Sequence, residues 1–388
     1  MSADLKNVVI VGLGLAGTHA LEALHKSLPP SHRIIAISPL PGYWPVAALR
    51  AAVVPGYERN TLAPLDRLLP DGSRHVIIQG SSVEQLKDHT VVLDKAHPEF
   101  GAEIEFDYCI VATGSSYPFP CRPPKNATSN EIVDQFKTLQ DEVARSTSIL
   151  ILGGGPVGIE FAGEVSEYYD GRSSGRDKKQ ITLVHGGKAF IEEEGYKPKL
   201  GASLKNQLEK AGVKLVFGEK VDLEGRGTGK LDEMTEFKLS NGDIVKADFL
   251  FVAFGNAPNT SLFSDLDSST LEESTKRVKV SPSFQVERHP SLFAVGDITS
   301  IPESKLYHNA SKHGAVVAQN ICALVSAGEQ GTANLKEYKA GGAMMGVSVG
   351  SKGGAGQFFG FVAGPWIIAF GKSKHLFVPV FKQLYHAS

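Results

Sequence analysis

The sequence predicts an α/β protein of two Rossmann-like dinucleotide-binding domains with a small α+β domain at the C-terminus. Three observations carry this. NVVIVGLGLAGTHALEAL, Asn7 to Leu24, is an apolar strand running into G-x-G-x-x-G and then a helix-compatible run. SILILGGGPVGIEFAGEV, Ser148 to Val165, repeats the same order about one domain length later. After Glu337 the composition changes: the last 51 residues hold five lysines and nine aromatics but no Asp or Glu.

Length and composition fit this reading and exclude others. At 388 residues the chain holds two or three domains. Its 41 glycines show no Gly-X-Y period, which points to many tight turns. A formal net charge of −2 leaves no basic field for nucleic acid. Cys109, Cys121 and Cys322 are too few and too scattered for a disulfide framework, and no C-x-x-C is present. The twelve histidines show no metal-ligand spacing, so no metal site is expected. Few cysteines suit a reducing compartment, and a cytoplasmic protein is expected. The start, MSADLKNVVIVGLG, leaves no room for a signal peptide, and Ser2 stands where N-myristoylation needs glycine. The longest apolar run, Phe358–Gly371, is interrupted by Gly360, Gly364 and Pro365. It falls short of the ~20 residues of a spanning helix.

Taken in order, strands are expected at the run VVIV that opens the Asn7–Leu24 segment, and at Arg33–Ile37, His75–Ile78 and Tyr108–Ala112, the last ending in Thr113-Gly114. A helix at Lys137–Arg145 precedes the second unit. Tyr168–Gln180 reads as an exposed basic insertion. Ile181–His185 is the next strand and Leu200–Lys210 a helix. Phe249–Phe254 and Leu292–Val295 are strands ending at Gly255 and Gly296-Asp297, and Asn309–Ala327 is a long helix. The domains are then residues 1–125 and 257–335, which form one nucleotide-binding unit in two parts, 126–256, the second unit, and 336–388, the C-terminal domain.

Each glycine in the first set, Gly12, Gly14 and Gly17, has a task. The first turns strand into helix, the second lets a pyrophosphate approach backbone, and the third lets helix and sheet pack closely. The helix N-terminus then offers free N–H groups to phosphate. Gly153, Gly155 and Gly158 repeat this, followed by Glu160. The acid expected at the end of each second strand is missing. Ser38 stands at the first such place and His185, followed by Gly186-Gly187-Lys188, at the other. Without an acid, NADH and NADPH are both acceptable donors, and Lys188 would suit a 2′-phosphate. Two dinucleotide sites imply hydride transfer from a nicotinamide to a flavin. A carboxylate at Asp297, ending a strand, is well placed for a ribityl hydroxyl.

The order G-x-G-x-x-G, A-T-G, G-G-G-x-x-G-x-E, G-x-x-P-N, G-D is similar to that of the two-dinucleotide-binding flavoproteins, the glutathione-reductase-like fold. Where disulfide reductases of that fold carry C-x-x-x-x-C, this chain reads GYWPVAALRAAV, Gly42–Val53, without a thiol to relay electrons. VAALRAAV, GGGPVGIEFAGEV and the tail GGAMMGVSVGSKGGAGQFFGFVAGPWIIAFGKSKHLFV resemble the apoptosis-inducing-factor-like ferroptosis suppressor family over nearly the whole chain.

The resemblance implies an FAD-dependent NAD(P)H:quinone oxidoreductase. Gly12, Gly14, Gly17 and Arg50 would bind FAD, with Ser38 at the ribose and Thr113-Gly114 and Gly296-Asp297 along the flavin. Lys305 would precede the helix facing the flavin pyrimidine. Gly153, Gly155, Gly158, His185 and Gly255 would hold NAD(P)H. Glu160, Lys372 and Phe377 would stand at the nicotinamide, flavin and quinone contact. Two further readings of the same features are a slow-turnover redox-signalling flavoprotein and a tailoring oxidoreductase with a pocket of Tyr43, Trp44 and Phe377. The lysine- and aromatic-rich tail would also suit a weak membrane-surface contact. A monomer or homodimer is expected.

Overall fold

The computed structural model describes residues 5–171, 175–223, 225–328 and 331–387. Its helices are α1 (Leu15–Ser27), α2 (Pro45–Ala51), α3 (Ser129–Arg145), α4 (Pro156–Tyr168), α5 (Pro198–Lys210), α6 (Ser261–Asp267), α7 (Tyr307–Ala327), α8 (Pro365–Ile368) and α9 (Val378–Leu384). Among the described residues no helix is long and apolar enough to cross a membrane.

The first sheet has six strands, in the order Gln285–Val286, His289–Ala294, Tyr108–Val111, Lys6–Val11, His32–Ser38, Val76–Gln79. All neighbours are parallel except the first pair. Lys6–Val11 lies inside with Val8, Val9 and Ile10 fully buried, as an unbroken apolar strand covered on both faces must be. The chain leaves this sheet after Val111 and returns to it at Gln285, so one unit is made of two separated segments. Helix α7 lies across α1 at a close crossing. A Cβ on Gly314 would lie 2.5 Å from the Ala16 carbonyl oxygen, so only glycine fits there.

The second sheet is assembled wholly from the intervening chain, in the order Lys214–Phe217, Gln180–His185, Ser148–Leu152, Ile244–Val252, Gly229–Lys238. Ile244–Val252 ends before the expected Phe254. Helix α3 begins well ahead of the expected Lys137. A capping box starts it: the Thr128 N–H donates to Glu131 Oε2 at 2.7 Å, and the Glu131 N–H donates to Thr128 Oγ1 at 3.3 Å. A small antiparallel sheet, Val83–Leu86, Thr90–His97 and Gly101–Glu105, was not expected from the sequence. Where the chain crosses between the two large sheets, Ser115–Ser116 pairs antiparallel with Ala257–Pro258.

Residues 345–363 form a further antiparallel sheet of Met345–Val349, Gly353–Phe358 and Phe361–Ala363. Helix α8, a π turn at Ala369–Ser373 and α9 follow. This segment grips both large units. Trp44 stacks on Phe381 with ring centroids 5.3 Å apart, and its indole N–H donates to the Leu376 carbonyl at 2.7 Å. Trp44 is fully buried, which corrects its assignment to a substrate pocket: its ring is core and its one polar atom is already satisfied. On the other side, α4 receives the strand Met345–Val349 at Gly163, where a Cβ would lie 2.6 Å from the Gly350 nitrogen.

Candidate active site

The two glycine turns have the same local geometry. Gly12 and Gly153 take φ of +98° and +114°, open to glycine alone. A Cβ on Gly17 would lie 1.9 Å from the Gly12 carbonyl oxygen, and one on Gly158 1.9 Å from that of Gly153. The third glycines therefore allow α1 and α4 to seat against their own turns. Gly14 and Gly155 differ: a Cβ there would meet nothing within 4 Å. Neither is needed for packing, and each is the N-cap residue of its helix, where free N–H groups begin. Open backbone at a helix N-terminus fits a pyrophosphate in both units.

The segments between them meet at the crossing. Thr113 Oγ1 donates to the Asn259 carbonyl at 2.7 Å, and Asn259 Nδ2 donates to the Thr113 carbonyl at 3.0 Å. The A-T-G and G-x-x-P-N strings are thus bonded to each other. Gly255 opens the second string at φ +91°, facing open space. Ser115 Oγ donates to Asp297 Oδ2 at 2.7 Å. Arg122 donates to the carbonyls of Ser115 and Thr113 at 2.8 and 3.1 Å. The Gly296 N–H donates to His313 Nδ1 at 3.1 Å, and His313 Nε2 donates in turn to Glu303 Oε1 at 2.8 Å. Tyr338 Oη donates to the other oxygen of Glu303 at 2.7 Å. Burial, aided by the Arg277 charge, lowers the Lys305 ammonium to about 8, although Glu303 and Asp297 pull it upward. Its Nζ donates to the Ile301 carbonyl at 2.8 Å.

Helix α4 carries three acids on neighbouring turns, and each is taken up by another part of the chain. Glu160 Oε1 accepts from Lys372 Nζ at 2.5 Å and from the Ser348 N–H at 2.9 Å. Lys372 also donates to the Gly346 carbonyl at 2.6 Å. Glu164 receives both forks of Arg50, at 2.8 and 2.9 Å. Burial raises the Glu164 carboxyl, and the Arg50 guanidinium works against it. Glu167 accepts from the Ser351 N–H and from Ser351 Oγ. Arg50 continues to the C-terminal segment, donating to the carbonyls of Ser373 and Lys374 at 2.7 and 3.2 Å. Leu376 and Phe377 then adopt left-handed φ of +49° and +53°, a strained conformation for bulky side chains, which leaves Phe377 partly exposed at the start of α9. Tyr385 closes the strap by donating to the Leu13 carbonyl, inside the first glycine turn, at 3.0 Å.

The residues singled out from the sequence thus fall into two groups. Glu160 and Lys372 are brought into direct contact although 212 positions separate them. Thr113 and Asp297 each have a partner at the crossing. Arg50 shares its fork between Glu164 and the carbonyls of Ser373 and Lys374. Ser38 is buried at its strand end and donates to the Leu40 carbonyl at 2.8 Å. His185 Nδ1 accepts the Gly154 N–H at 3.1 Å, so it braces the second glycine turn. The expectation of no acid beside His185 is corrected. The chain folds back so that Glu192 Oε2 accepts the Lys188 N–H at 3.0 Å, and a Cβ on Gly187 would lie 2.4 Å from that oxygen. The basic insertion at 168–180 is corrected in part. Lys179 is buried and donates to the Ala144 and Ser146 carbonyls, and Arg176 stacks over Tyr168. Residues 172–174 and Ser2 lie outside the described residues.

Sequence reasoning missed Glu164, Arg122, His313 and Cys121. Glu164 had a signal, since it stands four residues from Glu160 on one helix face. Arg122 and His313 reach their partners through turns of 7 to 17 residues that the sequence does not mark. Burial pushes the Cys121 thiol up to about 12, with the Glu160 charge adding to it, so it stands as a protonated thiol and not a nucleophile.

Comparison with known proteins agrees with this geometry. The family model described as pyridine nucleotide-disulphide oxidoreductase matches residues 6–314. Ferroptosis suppressor protein 1 of Xenopus tropicalis is 30% identical over 375 residues, covering 96% of this chain and 93% of that protein. Apoptosis-inducing factor homolog B of Dictyostelium discoideum is 28% identical over 396 residues, covering 97% and 96%. Among solved structures, an engineered water-forming NADPH oxidase bound to NADPH aligns with a TM-score of 0.68 at 14% identity, covering 90% of this chain and 74% of that one, a likeness of fold.

Proposed function

The chain belongs to the pyridine nucleotide-disulphide oxidoreductase family, in the branch of the ferroptosis suppressor proteins, and from that premise we propose that its acceptor is a quinone. That it is an oxidoreductase using FAD and NAD(P)H follows from the family. The finer reading rests on one observation: the Lys372–Glu160 pair, where the C-terminal segment meets the helix of the second glycine turn.

FAD, when bound, accepts two electrons from the nicotinamide and passes them to the acceptor. The rest is done by side chains. The open backbone at Gly14 and the α1 N-terminus would hold its pyrophosphate, and Asp297 a ribityl hydroxyl, with Ser115 fixing the carboxylate. The Lys305 ammonium would offset negative charge gathering near Asp297. Gly155 and the α4 N-terminus would hold the pyrophosphate of NAD(P)H, braced by His185. We assign Lys372 Nζ as the donor of a proton to the quinone oxygen, held in place by Glu160 and the Gly346 carbonyl, with Phe377 as the apolar wall. A thiol relay has no support, since α2 carries no cysteine and the partly buried Cys121 is held as a protonated thiol.

The test is stepwise. FAD-loaded protein is reduced anaerobically with NADH and then mixed with a soluble quinone. Reoxidation of the flavin by quinone much faster than by buffer alone supports the reading. Reoxidation at the buffer rate would leave an FAD- and NAD(P)H-dependent oxidoreductase with a different acceptor.

A further inference from the structure

Just before α7 the chain encloses a carboxylate, Glu303. Its side chain and that of His313 are each 1% exposed. Among the described residues no lysine or arginine pairs with it directly, and Lys305, two positions on, donates to the Ile301 carbonyl instead. His313 Nε2 and Tyr338 Oη supply its hydrogen bonds. Burying a carboxylate on such donors, without a lysine or arginine, is costly. Packing alone does not explain why one stands here.

The pair holds His313 in one tautomer and one orientation. Nδ1 accepts the Gly296 N–H at 3.1 Å, so that nitrogen carries no proton, and Nε2–H points at Glu303. Phe284 and Tyr338 pack on the imidazole, with ring centroids 4.5 and 4.7 Å away. Phe284 does so at a left-handed φ of +70°, although it is fully buried and not a glycine. Strain of that kind persists only where the surroundings impose it, and it gathers at functional sites. The turn that His313 holds is clamped at its other polar atoms too. The Asp297 carbonyl accepts from Arg277 Nε at 3.2 Å, and Asp297 Oδ2 from Ser115 Oγ. Gly296 also lies against the first glycine turn: a Cβ on it would be 3.2 Å from Ala16 Cβ, two residues past Gly14.

We propose that Glu303, acting through His313, is a positioning residue for FAD: it fixes the Gly296 N–H and so aims Asp297 at the ribityl chain. In the other tautomer the imidazole would set Nδ1–H against the Gly296 N–H, and the turn would be pushed aside. The carboxylate on Nε2 rules that tautomer out. A binding carboxylate must be held to within about 0.5 Å, which a second layer of hydrogen bonds supplies. Tyr338 brings the start of the C-terminal segment into the same network. The inference rests on the reading that Asp297 holds the ribityl chain, and it stands whatever the electron acceptor is.

The test compares FAD-loaded full-length variants by two readouts: FAD release on dilution, followed by flavin fluorescence, and the melting temperature at saturating FAD. His313→Leu removes the acceptor of the Gly296 N–H and strands the carboxylate, so it should lower both. FAD binding should weaken about tenfold or more. His313→Leu/Glu303→Leu removes the stranded charge as well. Its melting temperature should return towards wild type, while FAD stays weakly held and the flavin absorption band loses its fine structure. Glu303→Gln still accepts the Nε2–H and should keep FAD within a few-fold. Affinity recovering together with the melting temperature in the double variant would overturn the proposal and leave the pair as packing. So would FAD loss from Glu303→Gln as severe as from His313→Leu. Asp297→Ala separates the two readings. Full FAD retention in it would remove Asp297 from the site, and this inference with it. FAD lost from Asp297→Ala but kept by the double variant would overturn the bracing alone.

Discussion

Lys372 Nζ lies 2.5 Å from Glu160 Oε1, joining the C-terminal domain to the helix that starts at the second glycine turn. Neither residue is far from solvent, yet the pair is largely enclosed. We expect Lys372→Met to slow quinone reduction by about tenfold or more, while flavin reduction by NADH stays within a few-fold. Glu160→Gln should act in the same direction, because it loosens the ammonium. The two changes should not add: a double-mutant cycle should show coupling of about 1–3 kcal/mol. Additive effects would mean that the pair does not act as a unit.

Arg50 and Glu164 form a buried pair with side-chain exposures of 8% and 5%. Removing one partner leaves a buried charge unpaired. Arg50→Ala should therefore cost about 3–5 kcal/mol of stability. Because Arg50 also holds the Ser373 and Lys374 carbonyls, limited proteolysis should first cut within the C-terminal segment. A melting temperature unchanged from wild type would refute the strap described above.

Glu192 sits over Gly187 at the end of the strand Gln180–His185. A carboxylate there can accept a ribose hydroxyl and repels a 2′-phosphate. NADH should be preferred over NADPH. Glu192→Lys should raise kcat/KM for NADPH relative to NADH by about tenfold, with steady-state kinetics as the check. An unchanged ratio would remove Glu192 from donor selection.

His75 Nδ1 accepts the Ile34 N–H at 3.0 Å, which requires a neutral ring. Burial, with the charges of Arg74 and His25, lowers its pKa to about 4. Between the ordinary value of ~6.5 and about 4, the unfolded chain binds the proton that the folded chain refuses. Stability should therefore fall as the pH drops through that window, by up to about 3 kcal/mol. His75→Asn keeps an acceptor and does not titrate, so its melting temperature should fall less between pH 7 and pH 5. An equal fall would assign the acid sensitivity elsewhere.

Much of this was legible in the sequence wherever the signal is local. Apolar runs before G-x-G-x-x-G marked the central strands of both sheets, because a buried parallel strand is apolar at every position. The glycines at 12, 17, 153 and 158 follow from backbone sterics, and those at 14 and 155 from the need for open backbone at a helix N-terminus. Side-chain partners across the chain were less accessible. The Arg50–Glu164 pair went unseen because 114 positions separate the two, and Trp44 was placed in a pocket because its partner Phe381 comes 337 positions later. Glu192 was passed over because it lies beyond the strand end where such an acid is usually sought. The helix start at Ser129 could have been found, since Thr128 and Glu131 have capping-box spacing.

The most direct test of two dinucleotide sites in series is an anaerobic NADH titration of three FAD-supplemented proteins, followed at the flavin absorption band: wild type, Gly14→Val and Gly155→Val. Both glycines face open space, so neither change should unfold the chain. Wild type should bleach with about one equivalent of NADH. Gly155→Val should retain FAD yet need far more NADH to bleach, while Gly14→Val should fail to retain FAD. FAD lost from Gly155→Val and kept by Gly14→Val, or bleaching indifferent to Gly155, would contradict the assignment of the two turns.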